Sequence, residues 1–136
     1  MIGLDTNVLA RFLMQDDPGQ AAAATAALAQ LSETGPGFVC REVLVELVWV
    51  LERAYRLPRA DIARALDGLL EAQELVIEAA DRVAVATDRY RKGGAGFADQ
   101  MVALAGQGAG CRETLTFDRK GAAVPGMRLL GAGSDH

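Results

Sequence analysis

Four carboxylates, Asp5, Glu46, Asp99 and Asp118, stand where this 136-residue chain offers the most chemistry. Asp5 closes the short apolar run Met1–Leu4, and Asp118 closes Thr114-Leu115-Thr116-Phe117. Two strands that each deliver an aspartate at their carboxyl ends can supply one crevice if they share a sheet. Asp99 follows Gly93-Gly94-Ala95-Gly96 and falls in the first turn of a helix that begins at Phe97, where a carboxylate gains from the helix dipole. Glu46 lies in an apolar helical stretch among Leu44, Val45, Leu47 and Val48, and burying an acid there is costly without compensation. It shares its helical stripe with Glu42, Trp49 and Arg53.

Each acid also has a plainer reading. Asp5 suits an N-cap, Asp99 a dipole partner, Asp118 a turn opener, and Glu46 a surface pairing with Arg53 or Arg41. What makes the set more than its members is the lack of other catalytic side chains. The single histidine, His136, is the last residue and is expected to fray. The two cysteines, Cys40 and Cys111, fit no zinc spacing and are expected to be small core residues that stay reduced. Chemistry at neutral pH therefore rests on carboxylates, backbone dipoles or a metal, and oxygen donors favour Mg²⁺ or Mn²⁺ over zinc.

The elements that must position these acids alternate. Strands are predicted at Met1–Leu4, Phe38–Cys40, Leu75–Ile77, Glu113–Phe117 and Met127–Leu130. Helices are predicted over Asn7–Met14, the Ala-rich Gln20–Leu31 after the Asp16-Asp17-Pro18 start, and Arg41–Tyr55. Three more are predicted over Pro58–Ala72, Asp81–Lys92 and Phe97–Ala105. Short apolar strands separated by helices argue for a parallel sheet covered on both faces. The glycines of Gly93–Gly96 read as a flexible break.

Bulk properties bound the function. Residues 1–136 read as one globular domain, with 51% hydrophobic and 24% charged residues. No run is long and apolar enough for a membrane span, and MIGLDTNVL does not read as a signal peptide, so a cytoplasmic protein is expected. The net charge of −4 disfavours a module that binds nucleic acid by blanket phosphate neutralisation. Any RNA contact must be local, with Arg11, Arg41, Arg119 and Lys120 as the candidate phosphate contacts.

Ile2-Gly3-Leu4-Asp5-Thr6-Asn7-Val8-Leu9, then Val45-Glu46-Leu47, then Phe97-Ala98-Asp99, then Thr116-Phe117-Asp118 occur in the order seen in PIN-domain nucleases. Over nearly its whole length the chain resembles the VapC-type toxins of bacterial toxin–antitoxin pairs. The resemblance implies a three-layer α/β/α domain with a central parallel sheet of about five strands. It further implies Mg²⁺- or Mn²⁺-dependent cleavage of an RNA substrate, a homodimer, and a cognate VapB-type antitoxin.

By that match Asp5, Glu46, Asp99 and Asp118 form the metal-binding, catalytic quartet. Asp5 and Asp99 are expected as direct ligands, and Glu46 and Asp118 as direct or water-mediated ones. Thr6 and Asn7 would support the loop after the first strand, and Thr116 would hydrogen-bond within the site. Glu42 is the rival of Glu46, which is preferred for its core-facing Val-Glu-Leu context. Two other readings stay in view. A catalytically idle PIN-like interaction module would leave the acids without work. An aspartate-phosphorylating domain of receiver or haloacid-dehalogenase type needs a second acid close to Asp5, where this chain has Thr6-Asn7.

Overall fold

The computed structural model describes the backbone of residues 1–134 and the side chains of residues 1–131. His136 lies outside the described residues. The chain divides into two compact units, residues 1–80 and residues 81–136.

In the first unit, β1 (Ile2–Gly3), β2 (Gly37–Val39) and β3 (Leu75–Ile77) form a parallel sheet in the order β1-β2-β3. Its register pairs Ile2 with Gly37 and Val39 with Ile77. Gly37 is buried, and a Cβ there would come within 2.9 Å of the Leu4 and Leu31 side chains, so any larger residue would force those leucines to shift.

Helices supply most of the first unit's core. α1 (Thr6–Met14) begins at the Asp5 cap and ends at Gln15, whose φ of 54° turns the chain out of the helix. α2 (Pro18–Ala29) starts with proline in its first turn and with the Asp17 carboxylate accepting from Gln20 N–H at 3.0 Å. α3 (Arg41–Arg53) buries Leu44, Leu47, Val48 and Leu51, and α4 (Arg59–Glu71) buries Ile62, Ala63, Leu66 and Leu69. Both follow the i, i+3, i+4 spacing of a core-facing stripe.

The second unit begins within the first turn of α5 (Ala80–Arg91), which buries Val83, Ala86, Thr87 and Tyr90. Gly93 and Gly94 then take φ of 97° and 83°, a left-handed turn that glycine adopts without strain. α6 (Phe97–Gly108) follows, with the Phe97 ring edge-on to Tyr90 at 6.0 Å. β4 (Thr114–Asp118) and β5 (Met127–Ser134) form a second parallel pair, joined through α7 (Arg119–Ala122), a short helix that the sequence did not suggest.

The chain is thus α/β, as expected, and among the described residues five strands are divided between a three-stranded and a two-stranded parallel sheet. Ile2, Leu115 and Phe117 are exposed, which the expectation of strands covered on both faces did not anticipate. The cysteines also differ from expectation. Both are free thiols, but Cys40 is only half-buried and Cys111 is exposed, because Cys111 follows the Gly110 turn that leads out of α6.

Candidate functional site

Asp99 and Asp118 are brought together within the second unit. A Cβ built on Gly121 would lie 3.5 Å from Asp99 Oδ1 and 3.5 Å from Asp118 Oδ2. The two carboxylate oxygens are therefore no farther apart than twice that length. Gly121 is buried, and its missing side chain leaves the space between them open.

Each carboxylate is fixed by its other oxygen. Asp118 caps α7 by accepting from Lys120 N–H on Oδ1 at 3.1 Å. Asp99 accepts from Gly96 N–H on Oδ2 at 3.4 Å, across the first turn of α6. One oxygen of each acid is thus spent on the backbone, and the remaining oxygen of each faces the position above Gly121. The N-cap and helix-start roles that looked like alternatives to function are, for these two residues, what aims the free oxygens.

Two close approaches set α6 against the segment from β4 to β5. Gly106 of α6 sits so near Thr114 of β4 that a Cβ would overlap the Thr114 hydroxyl. At the end of the helix, the Gln107 amide donates to Pro125 O at 3.1 Å. Thr116 accepts from Asp118 N–H on Oγ1 at 3.0 Å and so braces the turn from β4 into α7. Behind these residues lies a small core of Ala95, Ala103 and Val124, with Met127 packed on it.

Asp5 and Glu46 belong to the first unit. Asp5 caps α1 by accepting from Thr6 N–H on Oδ1 at 2.8 Å, and it is exposed. Thr6 beside it is 2% exposed, and its hydroxyl oxygen has no hydrogen-bond partner among the described residues. Asn7 is exposed. Glu46 lies on the outward stripe of α3 with Glu42, Trp49 and Arg53, all exposed. Its core-facing placement is thereby corrected. Leu44, Leu47 and Val48 point to the other side of the helix, and burial does not separate Glu46 from Glu42.

The basic residues are more committed than expected. Arg41 pairs with Glu78 at 3.2 Å, and Glu78 also accepts from the Arg41 backbone N–H. Arg11 donates to Asp16, Gln20 and Tyr55, tying α1 to the start of α2 and the end of α3. Lys120 is exposed beside Asp118.

The donor chemistry suits a hard cation. Asp99 and Asp118 supply oxygens only, and Mg²⁺ is commonly held by one or two carboxylates with waters completing its shell. Among the described residues, no group of three or more acids, histidines or cysteines stands ready to enclose an ion. An open, two-carboxylate seat is what these residues offer, and Gly121 keeps it clear.

The PIN-domain family model matches residues 2–126, a span that includes all four acids. The chain belongs to the PIN-domain family. It is also 29% identical over 118 residues to a VapC ribonuclease of Aquifex aeolicus (strain VF5), a match covering 86% of this chain and 87% of that protein. The resemblance read from the sequence is therefore shown at the level of the family. Gly121 was not singled out in that reading. Its only signal is a glycine three residues after a motif aspartate.

Proposed function

We propose that this PIN-domain chain is a VapC-type endoribonuclease, the toxin of a type II toxin–antitoxin pair. On this reading it hydrolyses RNA phosphodiester bonds with a Mg²⁺ or Mn²⁺ ion held by carboxylates. The observation that carries the proposal is the approach of Asp99 Oδ1 and Asp118 Oδ2 over Gly121. The match to a VapC ribonuclease along most of the chain supports the choice of RNA as substrate.

In this mechanism Asp99 and Asp118 would hold the ion through the oxygens that the backbone leaves unused. An ion held there would supply Lewis-acid chemistry and offset the repulsion between the acids and RNA. Thr116 keeps Asp118 in its turn, and Gly121 keeps the seat open. Asp5 and Glu46 complete the acidic quartet, a role assigned through the family resemblance, as is the water-mediated or direct character of each ligand. We take residues 1–136 to act as one nuclease domain, because the family match runs through both units. A homodimer, a VapB-type antitoxin that blocks cleavage, and a cytoplasmic setting belong to the same proposal. Among the described residues, no helix is long and apolar enough to cross a membrane.

The experiment is cleavage of a labelled RNA pool with and without EDTA, by wild type and by Asp99→Asn. Cleavage that needs Mg²⁺ or Mn²⁺ and disappears in the variant, with an unchanged melting curve, is the expected result. Full activity in EDTA sinks the metal mechanism. Growth arrest on expression, relieved by a co-expressed small neighbouring protein, tests the toxin assignment separately.

A further inference from the structure

The cations of the chain are committed unequally. Of the four that the sequence offers as phosphate contacts, Arg11 pairs with Asp16 at 3.1 Å and Arg41 with Glu78 at 3.2 Å. Arg119 is also engaged within the chain. Lys120 is exposed, and among the described residues its ammonium group forms no ion pair. Elsewhere in the second unit, Lys92 holds Asp88 at 3.0 Å and Arg128 holds Glu113 at 2.9 Å. Such pairs must open before the cation can serve a phosphate, and Lys120 has none to open.

The place of Lys120 is fixed by the acid it accompanies. Its backbone N–H donates to Asp118 Oδ1 at 3.1 Å. The next residue is Gly121, whose missing side chain leaves open the space between Asp99 and Asp118. Successive residues of a helix point about 100° apart, so the lysine stem leaves α7 at the rim of that space and not into it. Asp99, Asp118, Lys120 and Gly121 all belong to the second unit.

An ammonium on a flexible four-carbon stem meets phosphate as a point charge and needs no preset geometry. Two carboxylates repel RNA, and a chain of net charge −4 has no blanket of basic residues to offset this. One uncommitted cation at the rim places the offset where the repulsion is. RNA suits this position better than an acidic protein segment does. Any internal bond brought to the acid pair carries a neighbouring phosphate to its rim, one nucleotide away.

We propose that Lys120 holds the RNA phosphate next to the bond to be cut. The proposal deepens the ribonuclease reading and rests on it. The contact positions the strand and reads no sequence, so it serves every RNA alike.

Binding of a single-stranded oligonucleotide is followed by anisotropy over a series of salt concentrations. The Asp99→Asn chain is used, where the ribonuclease reading requires cleavage to stop and one repelling charge is gone. Adding Lys120→Gln should lower the slope of log K against log salt by about 0.7, the share of one phosphate on a single strand. Near physiological salt that slope amounts to about a fourfold loss of affinity. Lys120→Arg should keep both, and Lys92→Gln, whose cation is already held by Asp88, should change neither. With Asp99 restored and Mg²⁺ present, Lys120→Gln should raise KM about fourfold, with kcat changed less than about twofold.

An unchanged slope in Lys120→Gln overturns the contact, and is the result expected if the lysine serves an acidic protein segment instead. An equal loss in Lys92→Gln also overturns it, because net charge alone would then account for the effect. So does a fall in kcat at constant KM. A chain that binds RNA with a Lys120-dependent slope yet never cuts it would fail the ribonuclease reading and leave the contact standing. Cleavage in Mg²⁺ with the same KM in Lys120→Gln would do the reverse.

Discussion

The acids of the two units are held in different ways. In the first unit, Asp5 and Glu46 sit on separate elements, each exposed, in front of a core of large side chains: Leu44, Leu47, Leu51, Ile62 and Leu66. In the second, Asp99 and Asp118 share one small space over a glycine, in front of Ala95, Ala103, Val124 and Met127. Large apolar side chains give a helix its place in the fold. Small ones let a helix and a strand come close enough for their carboxylates to meet. The difference is local, because the second unit also buries Tyr90 and Phe97, but beside the acid pair the core residues are small, and mutations should separate the two settings.

The largest expected effect is on stability. Leu47→Ala, at a fully buried position of α3, should destabilise the protein by about 2–5 kcal/mol. Val124→Ala, in the small core behind the acid pair, should cost about 1–2 kcal/mol. Denaturant unfolding of both variants measures the contrast, and equal losses would break it.

Next come the acids. Asp99→Asn and Asp118→Asn should each lower RNA cleavage more than about a hundredfold, since even partners that only orient a metal's ligands are worth 10–100-fold in affinity. The double variant should be little worse than either single one, because groups that share a seat act as a unit. Multiplying losses would show that they work separately. In the first unit the same logic ranks the rivals on α3: Glu46→Gln should lose activity and Glu42→Gln should not.

A smaller effect tests the seat itself. Gly121→Val fills the space between Asp99 Oδ1 and Asp118 Oδ2. It should weaken Mn²⁺ binding about tenfold while both carboxylates remain. Gly121 does not have positive φ, so the substitution brings no backbone strain to confuse the result. Calorimetric titration with Mn²⁺ checks it, and wild-type affinity would mean that the ion sits elsewhere.

These comparisons also show what could be read from the chain and why. The α3 core was legible because apolar residues recur at helical spacing, and the strand-end aspartates because apolar runs stop abruptly at them. The orientation of Glu46 was not. Neighbours in sequence lie on all sides of a helix, so Val45 and Leu47 said nothing of the face on which Glu46 emerges. The meeting of Asp99 with Asp118 depends on the close passages at Gly106 and Gly121, and a glycine's role as a spacer becomes visible only when the opposing element is in place. Arg41 looked like a free cation because its partner Glu78 is distant in sequence, while Arg11 pairs with nearby Asp16 only because the chain turns back between α1 and α2.

The smallest effect concerns a cluster of the first unit away from the candidate acids. Tyr55 Oη donates to Asp16 Oδ2 at 2.8 Å, and Arg11 pairs with the same carboxylate at 3.1 Å. The tyrosine hydrogen bond, and after it the arginine, hold the Asp16 carboxyl below its ordinary value of 3.8. A lowered native pKa means that the unfolded chain takes up the proton first as pH falls. The stabilisation from Asp16 is therefore fully present above the ordinary value and is lost as pH drops through the lowered one. Asp16→Asn should lower the Tm modestly at pH 7, and the gap from wild type should close below about pH 4. Melting curves across pH 3 to pH 7 measure it. If the gap were constant over that range, the cluster would act by shape and not by charge, and the first unit's stability would rest on its apolar core alone.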